Sequence, residues 1–328
     1  MTTETLLTCP ICRETLTREQ NALRCGRGHS YDIAKGGYVN LLLVNQKGSP
    51  SPGDSKEMLI SRRAFLEKGY YEPLSARIND IVTAHLDGSC EEAPPPQFWG
   101  AGIGPRTDAS PALVPQTWGG GASTSAPSTK KTTAVLDAGC GEGYYLECLR
   151  QHLAQHNNDY YGLDISKEAV KLAAQKYKAI SFSVASLHQA LPFPAASLDV
   201  LLSVFAPRNA PEFARVLSPG GIAIAVIPAE GHLAQLQEAL GLGRLKADKE
   251  QQIVESLQAL FSVTQTETLR YRKTLDHANI LNLLTMIPTG WQLSEAAWRR
   301  ANALSSLEIE FAFTLVALRK KAAPNEPA

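Results

Sequence analysis

The sequence has no excess of charge of either sign: 32 lysines and arginines stand against 32 aspartates and glutamates in 328 residues. That balance excludes a global field drawing the chain to a polyanion, so any attraction for nucleic acid must be local. There is no uninterrupted apolar run of about 18 residues, which excludes a membrane-spanning helix. The opening Met1-Thr2-Thr3-Glu4-Thr5 has neither the basic start nor the apolar core of a secretory leader. Cytoplasmic residence is the expectation, with the six cysteines reduced, metal-bound or buried rather than paired. No internal repeat occurs. What is present in quantity is apolar material, 44% of the chain, enough for one sizeable core and a smaller module.

The most informative stretch is Asp137-Ala138-Gly139-Cys140-Gly141-Glu142-Gly143. It follows the apolar run Ala134-Val135-Leu136 and leads into Tyr144-Tyr145-Leu146-Glu147-Cys148-Leu149, which has helical spacing. A buried strand, a glycine turn and a helix N-terminus in that order make a nucleotide-type cofactor loop. Its spacing is G-x-G-x-G, with Tyr144 where the dinucleotide pattern wants its last glycine. Asp137 precedes the glycines; a carboxylate there repels a pyrophosphate but suits the cationic methionine end of S-adenosylmethionine. The next strand, Tyr160-Tyr161-Gly162-Leu163, ends on Asp164, 21 residues beyond Gly143. A doubly wound fold places a carboxylate at about that distance against the ribose hydroxyls of an adenosine. The pair of signals reads as a methyl-donor site.

Downstream the pattern alternates. A helix is expected over Lys167–Lys176 with Ser166 as its N-cap. Strands are expected at Ile180–Val184 and Leu198–Val204, then a helix around Glu212–Val216. The turn Ser218-Pro219-Gly220-Gly221 precedes a strand over Ile222–Ile227. The alternation argues for a parallel sheet covered on both faces. After a helical stretch around 249–260, strands at Ser262–Tyr271 and Leu307–Leu318 flank a helix at Asp276–Met286, and the last strand suits an antiparallel addition. Residues 89–132 break the composition with Pro94-Pro95-Pro96, Gly119-Gly120-Gly121 and a Ser/Thr/Ala tract. Such a segment buries too little apolar surface to offset its ordering entropy and reads as a mobile insert or a partner-binding segment.

Near the start stand Cys9, Cys12, Cys25 and His29, spaced C-x2-C-x12-C-x3-H. Three thiolates and an imidazole suit one zinc ion per chain, and four protein ligands leave no open position, so the site is expected to be structural. A short segment with little core takes most of its folding energy from such a metal. Between Cys9 and Arg63 there are nine Lys/Arg against five Asp/Glu. Arg62, Arg63 and the other basic residues of this stretch make either a phosphate-contacting face or a simply solvated surface. Tyr31, Tyr38, Tyr70 and Tyr71 either stack on bases or pack against the module.

Here the chain resembles the bacterial 23S rRNA guanine-N1 methyltransferases, including their macrolide-resistance relatives. The matching residues are the zinc knuckle with His29-Ser30-Tyr31-Asp32-Ile33-Ala34-Lys35-Gly36-Gly37-Tyr38, then Pro52-Gly53-Asp54-Ser55 and Arg62-Arg63-Ala64-Phe65-Leu66, the cofactor loop, and Met286-Ile287-Pro288-Thr289-Gly290-Trp291. The likeness covers residues 8–88 and 133–318; the 89–132 insert departs from it. The resemblance implies a Rossmann-like class I S-adenosylmethionine-dependent methyltransferase domain of α/β class, preceded by a small zinc-binding module. It implies zinc ligation by Cys9, Cys12, Cys25 and His29, cofactor contacts at Tyr71, Gly141, Glu142 and His232, and a 23S rRNA hairpin as partner. Asp137, Gly139 and Asp164 join the cofactor set from the reading of the loop. The organisation expected is a zinc module over 1–45, a helical segment over 46–88 contributing to the cofactor site, the insert, a methyltransferase domain over 133–320 and a tail over 321–328. No membrane partner is expected, and a homodimer is compatible with the sequence.

Guanine N1 carries a proton at neutral pH, so the enzyme must remove it while holding nitrogen and methyl carbon in line. The base should be flipped out of its stack to expose N1. The loop Phe205-Ala206-Pro207-Arg208-Asn209 follows a strand in the place where such domains hold their target; Phe205 stacking on the base and Asn209 reading its edge stand beside ordinary loop packing. No residue announces itself as the general base. Two rival classes are a small-molecule methyltransferase and a non-catalytic zinc-containing RNA-binding protein.

Overall fold

A computed structural model describes residues 3–46, 52–88, 132–242, 257–287 and 293–321. The insert expected at 89–132 (Thr132 apart), most of the helical stretch expected at 249–260, and the 288–291 part of the family motif lie outside these residues. Four parallel strands make the centre of the main sheet: β6 (Thr133–Ala138), β7 (Asn158–Asp164), β8 (Ser181–Val184) and β9 (Leu198–Val204). β10 (Leu217–Pro228) adds in parallel to β9, and β12 (Ser306–Lys320) pairs antiparallel to β10. β11 (Phe261–Asp276) closes that edge against β12. The order is β11-β12-β10-β9-β6-β7-β8-β5, where β5 (Val39–Asn40) comes from the N-terminal segment.

The antiparallel last strand is therefore an insertion between β10 and β11 rather than an edge. The expected Ser218–Gly221 turn is a bulge within β10: the register to β9 shifts between Leu217 and Ile222, with Gly220 at φ 82°. Helix boundaries follow their caps. Ser55 accepts from the Met58 amide to open α1 (Lys56–Glu67), and α2 (Glu72–Leu86) carries Pro73 in its first turn. α3 (Tyr144–His152) starts directly from the glycine loop. Ser166 caps α4 (Lys167–Lys176) through the Ala169 amide, as expected. α5 (Ala210–Val216) and α6 (Ala234–Leu240) flank β10, and Asp276 caps α7 (His277–Met286) before α8 (Glu295–Ala303).

Alternation within the strands sends neighbouring residues to opposite faces. Val135, Val200, Val226 and Ile224 face one core together with Phe65, Leu74 and Ile78 of α1 and α2. Leu136, Leu201, Ala223 and Ala225 face the other. That second core contains Leu7, Leu16 and Leu23 of the small antiparallel sheet β1 (Thr3–Thr8), β2 (Thr15–Glu19), β3 (Ala22–Arg24) and β4 (Ser30–Asp32). The two sheets are further tied by Thr8 N donating to Pro192 O at 2.9 Å and by Arg13 Nη1 donating to Leu191 O at 3.2 Å. The first 45 residues thus share a core with the larger sheet and lend it a strand.

β7 passes tightly over β8. A methyl group at Gly162 would fall 2.5 Å from two ring carbons of Phe182 and 3.1 Å from Cys140 Sγ. Gly162→Ala is expected to lower stability by about 1–3 kcal/mol through overpacking. Urea unfolding midpoints check this, and adding Phe182→Leu should restore part of the loss; equal midpoints for wild type and the single variant would refute it.

Candidate cofactor and metal sites

The zinc candidates come together. Cys9 and Cys12 lie in the turn after β1, and Cys25 and His29 in the turn between β3 and β4. Their donor atoms all lie within 4.8 Å of one another. His29 Nδ1 is 3.3 Å from Cys25 Sγ and 3.5 Å from Cys9 Sγ, and the sulfurs of Cys12 and Cys25 are 3.5 Å apart. Zinc–sulfur bonds of about 2.3 Å set tetrahedral edges near these separations, whereas a disulfide needs about 2.05 Å. Burial raises the Cys9 thiol pKa, but hydrogen bonds from the Tyr31 hydroxyl and the Cys12 and Ile11 amides outweigh it and bring the pKa down to about 6. The donor set fits one structural zinc.

The cofactor loop sits at the C-terminal ends of β6 and β7, beside the point where strand order reverses between β6 and β9. Gly139, at φ 91°, presses on the loop after β9: a Cβ there would lie 2.4 Å from Ala206 Cβ. The Gly139 and Cys140 amides both donate to Leu163 O, at 2.7 and 3.0 Å. Asp164 accepts from the Gly141 amide and from the Ser166 amide, each at 2.8 Å. Asp137 is only 1% exposed, and neither carboxylate oxygen has a partner. Burial, then the charge of Asp164, pushes its carboxyl up to about 8. An orphaned buried carboxyl beside a glycine loop fits a cationic ammonium as its missing partner.

α1 lies across this loop. Arg63 forks onto Glu142, at 2.8 Å (Nη2–Oε1) and 3.2 Å (Nε–Oε2). Arg62 pairs with Asp54 and donates to Met286 O at 3.2 Å. The phosphate-gripping reading of these two arginines is therefore corrected: both brace the protein internally. Arg13 is spent on the Ala190–Leu191 carbonyls, Arg27 on Glu14 and Arg24 on Glu19. The base-stacking reading of the tyrosines goes the same way. Tyr31 bonds Cys9 Sγ, Tyr38 and Tyr71 are buried, and Tyr70 stacks on Phe65. These assignments were hidden in the sequence because ion pairs between residues far apart in the chain leave no local pattern.

An aromatic wall completes the site. Tyr71, at the N-terminus of α2, and Phe205, after β9, have ring centres 6.1 Å apart, and Phe313 of β12 lies 5.2 and 5.3 Å from them. The His232 ring lies tilted against Phe313 with centres 4.8 Å apart, and its Nδ1 accepts from the Ala312 amide at 3.2 Å. Burial lowers its pKa to about 4, so the ring is neutral with its proton on Nε2. Phe205 is 39% exposed and held at φ 55°, a conformation L-residues rarely adopt. Asn209 is not free to read a base: its Oδ1 caps α5 and its Nδ2 donates to Leu187 O at 2.8 Å. Of the expected cofactor residues, Asp137, Gly139, Gly141, Glu142 and Asp164 gather around one loop, while Tyr71 and His232 meet on the aromatic wall through Phe313. Sequence reasoning missed Phe313, whose only signal was its place in an alternating strand.

Fold and site together define a Rossmann-like S-adenosylmethionine-dependent methyltransferase with an N-terminal zinc ribbon. The RlmA N-terminal zinc-ribbon family matches residues 7–50, and a methyltransferase domain family matches residues 135–221. A Micromonospora griseorubida protein described as "Putative 23S rRNA (guanine-N(1)-)-methyltransferase" is 34% identical over 294 residues, 88% of each chain. The 23S rRNA (guanine(748)-N(1))-methyltransferase of Streptomyces fradiae is 32% identical over 317 residues, 95% of this chain and 96% of that one. YxjB of Bacillus subtilis is 27% identical over 86% of both. The chain belongs to the 23S rRNA (guanine-N1)-methyltransferase family.

Two outcomes follow from this geometry. Cys9→Ser and Cys25→Ser should each lose zinc, measured by metal analysis, and unfold the small sheet. Because Leu7, Leu16 and Leu23 share the core of the large sheet, the midpoint for the whole chain should fall too; full zinc retention in both variants would overturn the ligand set. The second outcome concerns pH. If the cofactor ammonium pairs with ionised Asp137, whose free-protein pKa is about 8, binding must displace a proton below that pH. Affinity for S-adenosylhomocysteine should then rise with pH, by up to about tenfold per unit, and level off above the free-protein pKa. Calorimetry in two buffers of different ionisation enthalpy should show proton release, and Asp137→Asn should abolish the slope. A flat profile between neutral pH and the plateau would refute the pairing.

Proposed function

We propose that this chain transfers a methyl group from S-adenosylmethionine to N1 of a guanine in a 23S rRNA hairpin loop. The observation that carries the reading is the exposed, strained Phe205, held next to the cofactor loop through the contact of Ala206 with Gly139. A flipped base needs an aromatic face at that point, beside the methyl donor. The end-to-end likeness to rRNA methyltransferases, zinc ribbon included, supports the same substrate.

In this reading Cys9, Cys12, Cys25 and His29 hold a structural zinc that fixes the small sheet against the larger one. Asp137 takes the cofactor's ammonium, Asp164 its ribose hydroxyls, and Gly139 and Gly141 allow the close approach. Glu142, held by Arg63, shapes the loop, and Tyr71 and His232 line the methyl-bearing end. The cofactor supplies an electrophilic methyl group on a sulfonium. The protein aligns N1 with it, offers the base an aromatic face, and eases the loss of the N1 proton. His232 does not act as the base, because its Nδ1 is occupied by the Ala312 amide and its Nε2 carries the proton. Among the described residues no helix is long and apolar enough to cross a membrane.

The test is incubation with labelled S-adenosylmethionine and 23S rRNA from cells lacking the modification, followed by mapping of the labelled base. Label should appear at N1 of one guanine in a hairpin loop. Label on small acceptors alone would favour a small-molecule methyltransferase, and cofactor binding without transfer would favour an RNA-binding protein.

A further inference from the structure

The buried side-chain atoms that lack a hydrogen-bond partner include those of four ionisable residues: His85, Asp137, Tyr145 and Arg208. Burial keeps the His85 imidazole and the Tyr145 phenol neutral, which leaves one acid and one base with missing partners. They occupy corresponding places. Asp137 is the penultimate residue of β6, and Arg208 is in the loop after β9; these are the two strands between which the sheet reverses order. The acid matches the ammonium of the cofactor. The base has no match yet.

Arg208 stands three residues after Phe205 and directly before Asn209, whose amide is committed to the cap of α5 and to Leu187 O. Its guanidinium is half-buried, its Nη1 is sealed from solvent without an acceptor, and no hydrogen bond or ion pair to it is formed among the described residues. By contrast, Arg63 and Arg215 fork onto Glu142 and Glu212, and Arg62 pairs with Asp54. A guanidinium that has shed water without gaining a carboxylate is prepared for an anionic or acceptor-rich ligand, since little more hydration is lost on binding. Guanine offers that ligand. Once its Watson–Crick edge faces the methyl donor, its O6 and N7 acceptors remain free on the other edge, and the fork of an arginine spans both. As N1 loses its proton, negative charge spreads onto O6.

Resting on the substrate reading above, we propose that Arg208 binds O6 and N7 of the target guanine and holds the charge that reaches O6 when N1 is deprotonated. The reaction balances without a strong base: the N1 proton passes to solvent water and the N1–methyl bond forms. The sulfur–methyl bond breaks with its electron pair left on sulfur, giving neutral S-adenosylhomocysteine. Arg208 thereby supplies discrimination against adenine, which presents a donor at the position of O6, and stabilises the anion that attacks.

The experiment compares wild type, Arg208→Ala and Arg208→Lys on an rRNA hairpin containing the guanine that wild type labels, and on the same hairpin with 7-deazaguanine there. Arg208→Ala should lower kcat by roughly 10- to 100-fold, shift the acid limb of the kcat–pH profile to higher pH, and leave S-adenosylhomocysteine affinity within about twofold, since no cofactor contact is lost. Removing N7 should slow wild type severalfold but neither variant, because lysine keeps the charge without the fork. An Arg208→Ala kcat within about twofold of wild type overturns the inference alone. So does a raised KM with a flattened salt dependence and unchanged kcat, which marks a phosphate contact. Loss of S-adenosylhomocysteine affinity in step with kcat also overturns it, in favour of a structural role. If wild type labels no rRNA guanine, the substrate reading fails and this inference with it.

Discussion

The carboxylate of Asp164 is the knot of the molecule. One oxygen accepts from the Gly141 amide in the cofactor loop, the other from the Ser166 amide at the start of α4. Ser166 Oγ reaches on to Asp54 O at 3.2 Å, and Asp54 pairs with Arg62 on α1. Two strand ends, a helix N-terminus and the segment around Asp54 are thus joined by one chain of hydrogen bonds, of which those to carboxylates are charge-assisted and stronger than neutral ones. Remove the carboxylate and the loop amide, the cap and that segment each lose an anchor. Gly53 shows how closely these parts meet, since a Cβ there would stand 2.7 Å from that of Ser166.

Around that knot the site keeps polar groups unsatisfied. Asp137 and Arg208 each forgo a partner at a cost of about 1–3 kcal/mol, and Phe205 holds a left-handed backbone. Such costs persist only where the rest of the fold over-determines them, and here the fold does so with the fully buried Phe311 and Phe313 and two continuous cores. The opposite signs of the two orphaned groups suit a reaction that brings a cation and develops an anion at neighbouring points. The aromatic wall between Tyr71 and His232 lowers the local dielectric, which strengthens both interactions.

The zinc ribbon acts through packing. Its leucines enter the same core as Leu136 and Phe193, and β5 adds a parallel strand beside β8 through the Leu41 amide to Val184 O at 2.9 Å. A metal that orders this segment therefore also seals one face of the methyltransferase sheet. Arg13 of the ribbon reaches carbonyls of the larger domain, while Arg62 and Arg63 on α1 pair with Asp54 and Glu142.

Much of this was legible in the residues themselves. Cys9, Cys12, Cys25 and His29 are close in sequence, and the strand–glycine–helix order around Asp137 is written locally, as are Ser166 as a cap and the bounds of β9, so short-range stereochemistry was enough to read them. Tertiary structure decided what depends on residues brought together from far apart. Arg63 meets Glu142 across 79 residues and Arg62 reaches Met286 across 224. Asn209 was drawn into a helix cap, β12 was inserted between its neighbours, and His232 was fixed as one tautomer by an amide 80 positions away. A carboxylate's or guanidinium's choice of partner is an electrostatic matter of position in space. No spacing along the chain encodes it until the sheet has formed.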